Sequence, residues 1–168
     1  IRGYGIAPFH QLARRLLNRQ GAPPLGEIAG LVRRNNAGGI VDNPTEKSFE
    51  FVDYREIPYQ LIGDFSAYRH VEQDARVVPM YSVMGCPYKC AFCSAPAQYQ
   101  EIRKKWVPFE AVEVVDHIER VHRELGANFV YFIDEDSFVN IKHVEGVIDE
   151  VRRRGLSVRL GFRGARIN

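Results

Sequence analysis

A continuously apolar run at residues 129–133 lies between two amphipathic helical patterns, and it most strongly limits how this 168-residue chain can fold. Such a run is typical of a β-strand buried on both faces. Before it, an apolar stripe at helical spacing covers residues 109–125 and stops at Gly126. After it, Asn140 can cap a second helix that ends at Gly155. This pattern predicts parallel strands joined by helical crossovers.

Two further apolar runs, at residues 77–84 and 158–162, complete the alternation. The first contains Pro79, which a strand tolerates at an edge. From residue 76 onward the predicted order is strand, cysteine-bearing loop, helix, strand, acidic loop, helix and strand, with right-handed crossovers. The fold class is therefore α/β, with the carboxyl ends of the strands at one edge of the sheet.

Residues 1–75 have a different pattern and predict a small α+β linker ahead of the α/β region at residues 76–168. Apolar residues at helical spacing after Pro8 predict a short amphipathic helix. Two short apolar stretches separated by asparagines and glycines at residues 35–39 predict a β-hairpin.

The rest of the linker has weaker signals. Residues 49–52 predict a third strand. Residues 53–74 contain Pro58 and scattered aromatic side chains, which predict an irregular connector that wraps against other elements and does not fold alone.

Composition limits the function classes. Hydrophobic residues make up 45% and charged residues 26% of the chain, as in folded globular proteins. The 23 basic against 21 acidic residues give a net charge of +2 and no sign of a nucleic-acid or membrane surface. No segment is typical of a bilayer span or a signal peptide, so we expect a cytoplasmic protein. The chain begins with Ile1 and ends at Asn168 directly after a predicted strand, so we expect a piece of a longer protein.

All three cysteines of the chain lie within one loop, in the sequence GCPYKCAFCSAP at residues 85–96. An odd number at such short spacing argues against a disulfide framework, which normally uses even numbers of cysteines in secreted proteins. Cys86, Cys90 and Cys93 can converge on one inorganic centre. A 4Fe–4S cluster normally has four cysteine ligands, so three would leave one iron open, as in catalytic metal sites.

This C-x-x-x-C-x-x-C loop, with the aromatic Phe92 before its last cysteine, resembles that of the radical S-adenosylmethionine superfamily. The resemblance implies a 4Fe–4S cluster held by Cys86, Cys90 and Cys93, with S-adenosylmethionine on the fourth iron and Phe92 near its adenine. It implies reductive cleavage of S-adenosylmethionine to a 5′-deoxyadenosyl radical that abstracts hydrogen from substrate. It also implies a (β/α)6 partial TIM barrel, of which this chain would hold the first three units, and an electron donor such as flavodoxin or ferredoxin.

Two other interpretations of the cysteines stay open. One is a zinc site with His117, His122 or His143 as the fourth ligand; zinc ligands usually come in pairs on two separated elements, which this loop does not show. The other is a cluster that only carries electrons. In both, the protein would be a non-catalytic metal-binding module.

The ends of the later strands carry the other candidate residues. Asp134 and Glu135 follow the second strand, and either can accept hydrogen bonds from an ammonium group. The superfamily often has Gly-Gly-Glu there to hold the amino group of S-adenosylmethionine, but the glycines are absent. Arg163 and Arg166 follow the third strand and could meet a carboxylate of the cosubstrate or substrate.

The connector, the stretch at residues 132–140 and the run into Tyr81 and Ser82 resemble the cobalamin-associated branch of the superfamily. Residues 1–52 resemble the end of a cobalamin-binding region and its link to the radical domain. The resemblance implies cobalamin in a longer parent chain, and methylation, ring formation or rearrangement of a small-molecule or peptide substrate as the reaction.

Overall fold

The computed structural model describes residues 1–3, 5–49, 53–70 and 74–164. The chain divides into two compact units, one formed by residues 1–51 with 87–105 and the other by residues 52–86 with 106–168. The helices of the described residues are α1 (Ile6–Leu16), α2 (Ala95–Gln98), α3 (Ala111–Leu125) and α4 (Ile141–Arg153). The strands are β1 (Val32–Arg34), β2 (Ile40–Asp42), β3 (Arg69–His70), β4 (Ala75–Met80), β5 (Val83–Met84), β6 (Val107–Pro108), β7 (Phe129–Phe132) and β8 (Arg159–Phe162).

The second unit is built on a sheet of order β3-β4-β7-β8. β4, β7 and β8 are parallel, with Val78 opposite Val130 and Val130 opposite Leu160, while β3 is antiparallel to β4. The predicted α/β fold with a parallel sheet is confirmed. The described strands β4, β7 and β8, with helices α3 and α4 between them, correspond to the three predicted strand units.

Helices α3 and α4 cover one face of this sheet and form the core with it. Their buried residues recur at helical spacing, as the apolar stripes predict. The core consists of Val78 and Met80 of β4, Val114, Val115, Ile118 and Val121 of α3, Ala127 between α3 and β7, Val130 and Phe132 of β7, and Val147 and Val151 of α4.

The continuous apolar sequence of β7 predicts burial on both faces, and this prediction is wrong. Val130 and Phe132 are fully buried under the helices, but Tyr131 is 37% exposed and Phe129 is half-buried. Successive side chains of a strand point to opposite faces, and among the described residues the two long helices pack on only one of them.

The predicted first strand at residues 77–84 is two strands, β4 and β5. It breaks at Tyr81 and Ser82, after which β5 pairs with β6 and leaves the parallel sheet. Pro79 lies in the part of β4 that is not paired with β3, since β3 reaches only the first two residues of β4. β4 itself lies between β3 and β7, so the edge position that the proline predicts is wrong for the strand and holds only locally, at Pro79.

The ends of the two long helices follow local chemistry. Asn140 caps α4 by accepting a hydrogen bond from the Lys142 amide at 3.1 Å. α3 ends at Gly126, whose φ of +63° suits a residue without a side chain. At its start, a reciprocal cap between Glu110 and Glu113 begins the helix, and Pro108 just before it belongs to β6.

The first unit contains the predicted helix, α1, and the predicted hairpin, β1–β2. In the hairpin turn, Asn35 Oδ1 accepts hydrogen bonds from the amides of Ala37 and Gly39 at 3.0 and 2.8 Å. Of the predicted third strand, residues 50–52 lie outside the described residues, while Phe49 is buried with its ring edge-on to Tyr99.

The connector belongs to the second unit. It forms short 3₁₀ turns at residues 54–56, 59–61 and 65–67, the first and third capped by Asp53 and Asp64. Tyr59 and Phe65 pack against the core, which agrees with a connector held by aromatic anchors. Its last residues add β3, which the sequence did not predict.

None of the helices in the described ranges has the length and apolarity that a bilayer span requires.

Candidate functional site

The carboxyl ends of β4, β7 and β8 meet at one edge, as predicted for the parallel sheet. The Ile133 amide donates to the Met80 carbonyl at 3.0 Å, and the Arg163 amide donates to the Phe132 carbonyl at 3.1 Å. These bonds continue the sheet pairing to the first residue after each strand. The loops that carry the acidic residues and Arg163 therefore start side by side.

The pKa of Tyr81 depends on the charged side chains at this edge. Burial raises the pKa of its phenol, the negative charges of Glu135 and Asp134 raise it further, and the Arg163 guanidinium opposes them. The structure thus brings Asp134, Glu135 and Arg163 together around the end of β4. The remaining predicted arginine, Arg166, lies outside the described residues.

Asp134 is fully buried and hydrogen-bonded to the protein through both oxygens. Its Oδ1 accepts the amides of Ser82 and Val83 at 2.8 and 3.1 Å. Its Oδ2 accepts the hydroxyls of Ser82 and Ser137 at 2.7 and 2.9 Å. A carboxylate offers about four acceptor positions, and here all of them are used within the protein.

The neighbouring acids are placed differently. Glu135 is half-buried, and its carbonyl lies against the backbone of Gly164, where a Cβ would come within 2.4 Å of that oxygen. Asp136 is buried and accepts the Phe138 amide at 2.9 Å, which caps a short 3₁₀ turn. Of the two acids predicted to contact the cosubstrate, Glu135 is the more accessible. Arg163 has an exposed side chain.

The cysteine loop begins right after β5. Gly85, with a φ of +79°, turns the chain into Cys86, which is half-buried in the second unit. Cys90 and Cys93 belong to the first unit, where the Cys93 amide donates to the Cys90 carbonyl at 3.1 Å. No disulfide joins the three cysteines. Phe92 is 94% exposed.

A backbone amide faces one of these thiols. The amide of Ala95, the first residue of α2, donates to the Cys93 sulfur at 3.4 Å. Amide hydrogen bonds to sulfur are among the features that set the potential of iron–sulfur clusters. Three thiols on one loop, one of them already accepting an amide, are a donor set that fits a cluster with three protein ligands. Within the described ranges, no three His, Cys, Asp or Glu side chains are arranged as a metal-binding group.

The histidines weighed as zinc ligands are engaged elsewhere in the second unit. His117 is buried, stacks on Tyr54 and bonds the Tyr59 hydroxyl through Nε2 at 2.7 Å. Burial lowers its pKa to about 4, with Arg120 contributing. His122 Nδ1 lies 2.6 Å from the Ala127 carbonyl.

His143 is likewise held by neighbouring groups. It lies edge-on to Trp106, with ring centroids 6.1 Å apart, and its buried Nε2 has no hydrogen-bond partner among the described residues. Burial lowers its pKa, and the charge of Asp134 opposes that shift. The packing of these three histidines favours a structural role over zinc binding.

Sequence reasoning missed Ser82 and Ser137, the two hydroxyl partners of Asp134. The available signal was a serine in an otherwise apolar strand sequence at residues 77–84. A polar side chain in a buried strand needs a hydrogen-bond partner, and Asp134 at the end of the neighbouring strand is the partner that the fold provides.

Known proteins with similar folds carry the cofactors that the cysteine loop implies. Over 95% of this chain, the fold matches the radical S-adenosylmethionine methyltransferase TsrM of Kitasatospora setae, solved with cobalamin and a [4Fe–4S] cluster, with a TM-score of 0.61 and 21% identity. It also matches the cobalamin-dependent S-adenosylmethionine radical enzyme OxsB, solved with aqua-cobalamin and S-adenosylmethionine, over 91% of the chain with a TM-score of 0.61 and 19% identity. The resemblance drawn from the cysteine loop is confirmed. This chain has the fold of the cobalamin-associated radical S-adenosylmethionine proteins.

Curated relatives agree with that resemblance. An uncharacterized methyltransferase of Pyrococcus horikoshii is 27% identical over 94% of this chain, and the anaerobic magnesium-protoporphyrin IX monomethyl ester cyclase of Rubrivivax gelatinosus is 27% identical over 80%. The chain spans 32% and 23% of the lengths of these relatives, and 32% and 21% of TsrM and OxsB. No protein-family model matches the chain.

Proposed function

We propose that this chain is the cluster-bearing part of a radical S-adenosylmethionine enzyme. The observation that carries the proposal is the loop with Cys86, Cys90 and Cys93, whose first cysteine follows β5 in the second unit, the unit that also holds Glu135 and Arg163 at the carboxyl edge of the parallel sheet. In α/β folds with parallel strands, active sites lie at this edge. The relatives and fold neighbours, which include enzymes of this class, support the same assignment.

The roles follow from the surroundings of each side chain. Cys86, Cys90 and Cys93 would hold a 4Fe–4S cluster and leave one iron for S-adenosylmethionine. Once reduced, such a cluster supplies the electron that splits S-adenosylmethionine into methionine and a 5′-deoxyadenosyl radical.

Other residues of the chain would bind and orient the cosubstrate. Glu135 would accept hydrogen bonds from its ammonium group, because Asp134 has no acceptor position left. Arg163, and by the same reasoning Arg166, would meet its carboxylate. The exposed ring of Phe92 would stack against the adenine.

We further propose cobalamin-dependent methylation or ring formation as the overall reaction, with cobalamin bound by a longer parent protein. TsrM and OxsB, named as cobalamin-dependent or solved with cobalamin, support the cofactor, and a methyltransferase and a cyclase among the relatives support the reaction classes. The substrate would be a small molecule or a peptide, and flavodoxin or ferredoxin would deliver the electron.

The test is anaerobic reconstitution with iron and sulfide, reduction with dithionite and addition of S-adenosylmethionine. We expect 5′-deoxyadenosine and methionine to form together, by mass spectrometry, and neither to form with C90A. Tightly bound zinc with no iron uptake would support the non-catalytic alternative. A loaded and reduced cluster that never affects S-adenosylmethionine would support an electron carrier.

A further inference from the structure

Each polar group of Ser82 is hydrogen-bonded to another segment of the second unit. Ser82, at the break between β4 and β5, is 1% exposed. Its amide and hydroxyl donate to the two oxygens of Asp134 at 2.8 and 2.7 Å. Its carbonyl accepts the Phe109 amide at 3.0 Å. The end of β4 is therefore fixed by the residue that follows β7 and by the segment that leads into α3.

Asp134 is the centre of this arrangement. A buried carboxylate is costly unless donors compensate it, and Asp134 accepts four hydrogen bonds. Two come from consecutive backbone amides, those of Ser82 and Val83, which fixes the direction of the chain as well as its position. The Ser137 hydroxyl, the fourth donor, has a single hydrogen and lies closer to Asp134 Oδ2, at 2.9 Å, than to the Arg163 carbonyl, at 3.2 Å. This contact brings the residue that follows β8 next to the same centre.

The chain between Ser82 and Cys86 transmits this position to the cysteine loop. Val83 and Met84 are buried and paired with β6, and Gly85 is buried in a left-handed conformation. A displacement of Ser82 is therefore passed on to Cys86, four residues later.

We infer that Asp134 is a positioning residue that sets where the cysteine loop leaves the sheet, and that it is not a ligand of the cosubstrate. The inference rests on the proposed function only in treating Cys86 as a cluster ligand. The inference gives the two acids of the loop after β7 different roles. Asp134 fixes the position of Cys86, and Glu135 faces the cosubstrate.

Four substitutions separate these roles. In D134N the amide oxygen still accepts the two backbone amides, and the serine hydroxyls can turn to accept from the new NH2 group. D134A leaves two buried amides without acceptors. S82A removes one hydroxyl donor and keeps the backbone bonds, so it serves where D134A does not fold. D136N changes a buried acid of the same loop whose carboxylate caps a 3₁₀ turn, and it is the matched control.

The first measurement uses the metal-free, reduced chain and follows iodoacetamide modification of each cysteine by mass spectrometry. We expect D134A to speed the modification of Cys86 by about tenfold, through local opening, with Cys90 and Cys93 as internal references. S82A should give a smaller increase. D134N and D136N should stay within about threefold of wild type. An unchanged rate at Cys86 in D134A and S82A would overturn the inference.

The second measurement is the electron paramagnetic resonance spectrum of the reconstituted, reduced chain with and without S-adenosylmethionine. We expect D134A to lose cluster or broaden its signal, and D134N to keep the wild-type change on adding S-adenosylmethionine. E135Q should lose that change with normal Cys86 modification. Loss of the change in D134N, with unaltered Cys86, would make Asp134 a direct ligand and overturn the inference. Failure of the wild type to take up a cluster would refute the proposed function, while the modification rates would still decide the role of Asp134.

Discussion

Tyr59 of the connector and His117 of α3 are joined by a 2.7 Å hydrogen bond between the phenolic oxygen and Nε2. Tyr54 stacks on the other side of the same imidazole, with ring centroids 5.0 Å apart. Arg120, one turn further along α3, donates to the carbonyl of Ile57 at 3.0 Å. One side of α3 thus fixes a connector that has only short 3₁₀ turns of its own.

The lowered pKa of His117 predicts a loss of stability in mild acid. Its pKa of about 4 in the folded chain lies below the ordinary histidine value of 6.5, so the unfolded state binds more protons between these pH values. Stability is full above pH 6.5 and falls as the pH drops towards 4, by on the order of 3 kcal/mol. Urea unfolding at a series of pH values measures it.

H117Q is the control for that experiment, because glutamine keeps a polar group but does not titrate. The difference in stability between wild type and H117Q should shrink or reverse as the pH falls from 6.5 to 4. Parallel curves for the two proteins would show that His117 does not stay neutral in the folded chain.

Arg154 holds α3 and α4 together through ion pairs, and we predict that its loss lowers the stability of the fold. From the end of α4 its guanidinium donates to Asp116 and Glu119 of α3 at 2.6 and 2.9 Å, and to Glu150 at 2.7 Å. R154L should lower the urea midpoint, because it leaves three carboxylates without this partner. R152L is the matched control, since that exposed side chain has an ion pair of 3.6 Å with Asp149 and should change little. Equal falls in the urea midpoint for R154L and R152L would contradict the role of Arg154 in joining the two helices.

At Gly164, we predict that a change in backbone packing also changes cosubstrate binding. Its φ is +75°, and a Cβ there would lie 2.4 Å from the Glu135 carbonyl oxygen. Gly155 has a similar φ of +63° with nothing within 4 Å of a Cβ, so G155A isolates the conformational cost of about 1 kcal/mol. G164A should cost more and weaken binding of S-adenosylmethionine by displacing Glu135. Equal stability of the two variants with normal binding would contradict this.

Removing the ring of Phe92 should weaken binding of S-adenosylmethionine without lowering the stability of the fold. A ring that is 94% exposed contributes little to the folded state, so F92A should unfold as wild type does. Loss of aromatic stacking should weaken S-adenosylmethionine binding to the reconstituted chain by about three- to tenfold. L61A, which removes another highly exposed side chain, should leave binding unchanged. Unaltered affinity in F92A would remove Phe92 from the site.

Local patterns predicted α1, α3, α4 and the parallel strands because each depends on residues close in sequence. The stripe of α3, its terminal Gly126 and the Asn140 cap of α4 are such signals. The break at Ser82 and the burial of Asp134 were not predictable in this way, since the two residues are 52 positions apart and meet only when β4 and β7 pair. The exposure of Tyr131 depends in the same way on which face the helices cover.

For the candidate site, the predictions rest on side-chain chemistry rather than on secondary structure. Three cysteines at this spacing indicate a shared metal centre wherever the loop lies. The acids after β7 were correctly placed at the edge with Arg163, but their sequence does not distinguish Asp134 from Glu135. That distinction comes from Ser82 and Ser137, whose hydroxyls occupy one oxygen of Asp134.

The most direct test of the central claim is the iron and sulfide content of the anaerobically reconstituted chain, together with its electron paramagnetic resonance spectrum before and after S-adenosylmethionine. We predict about four irons per chain, a reduced-cluster signal that S-adenosylmethionine changes, and loss of both in C86A, C90A and C93A. A chain that takes up one zinc and no iron, or a cluster whose signal S-adenosylmethionine leaves unchanged, would contradict it.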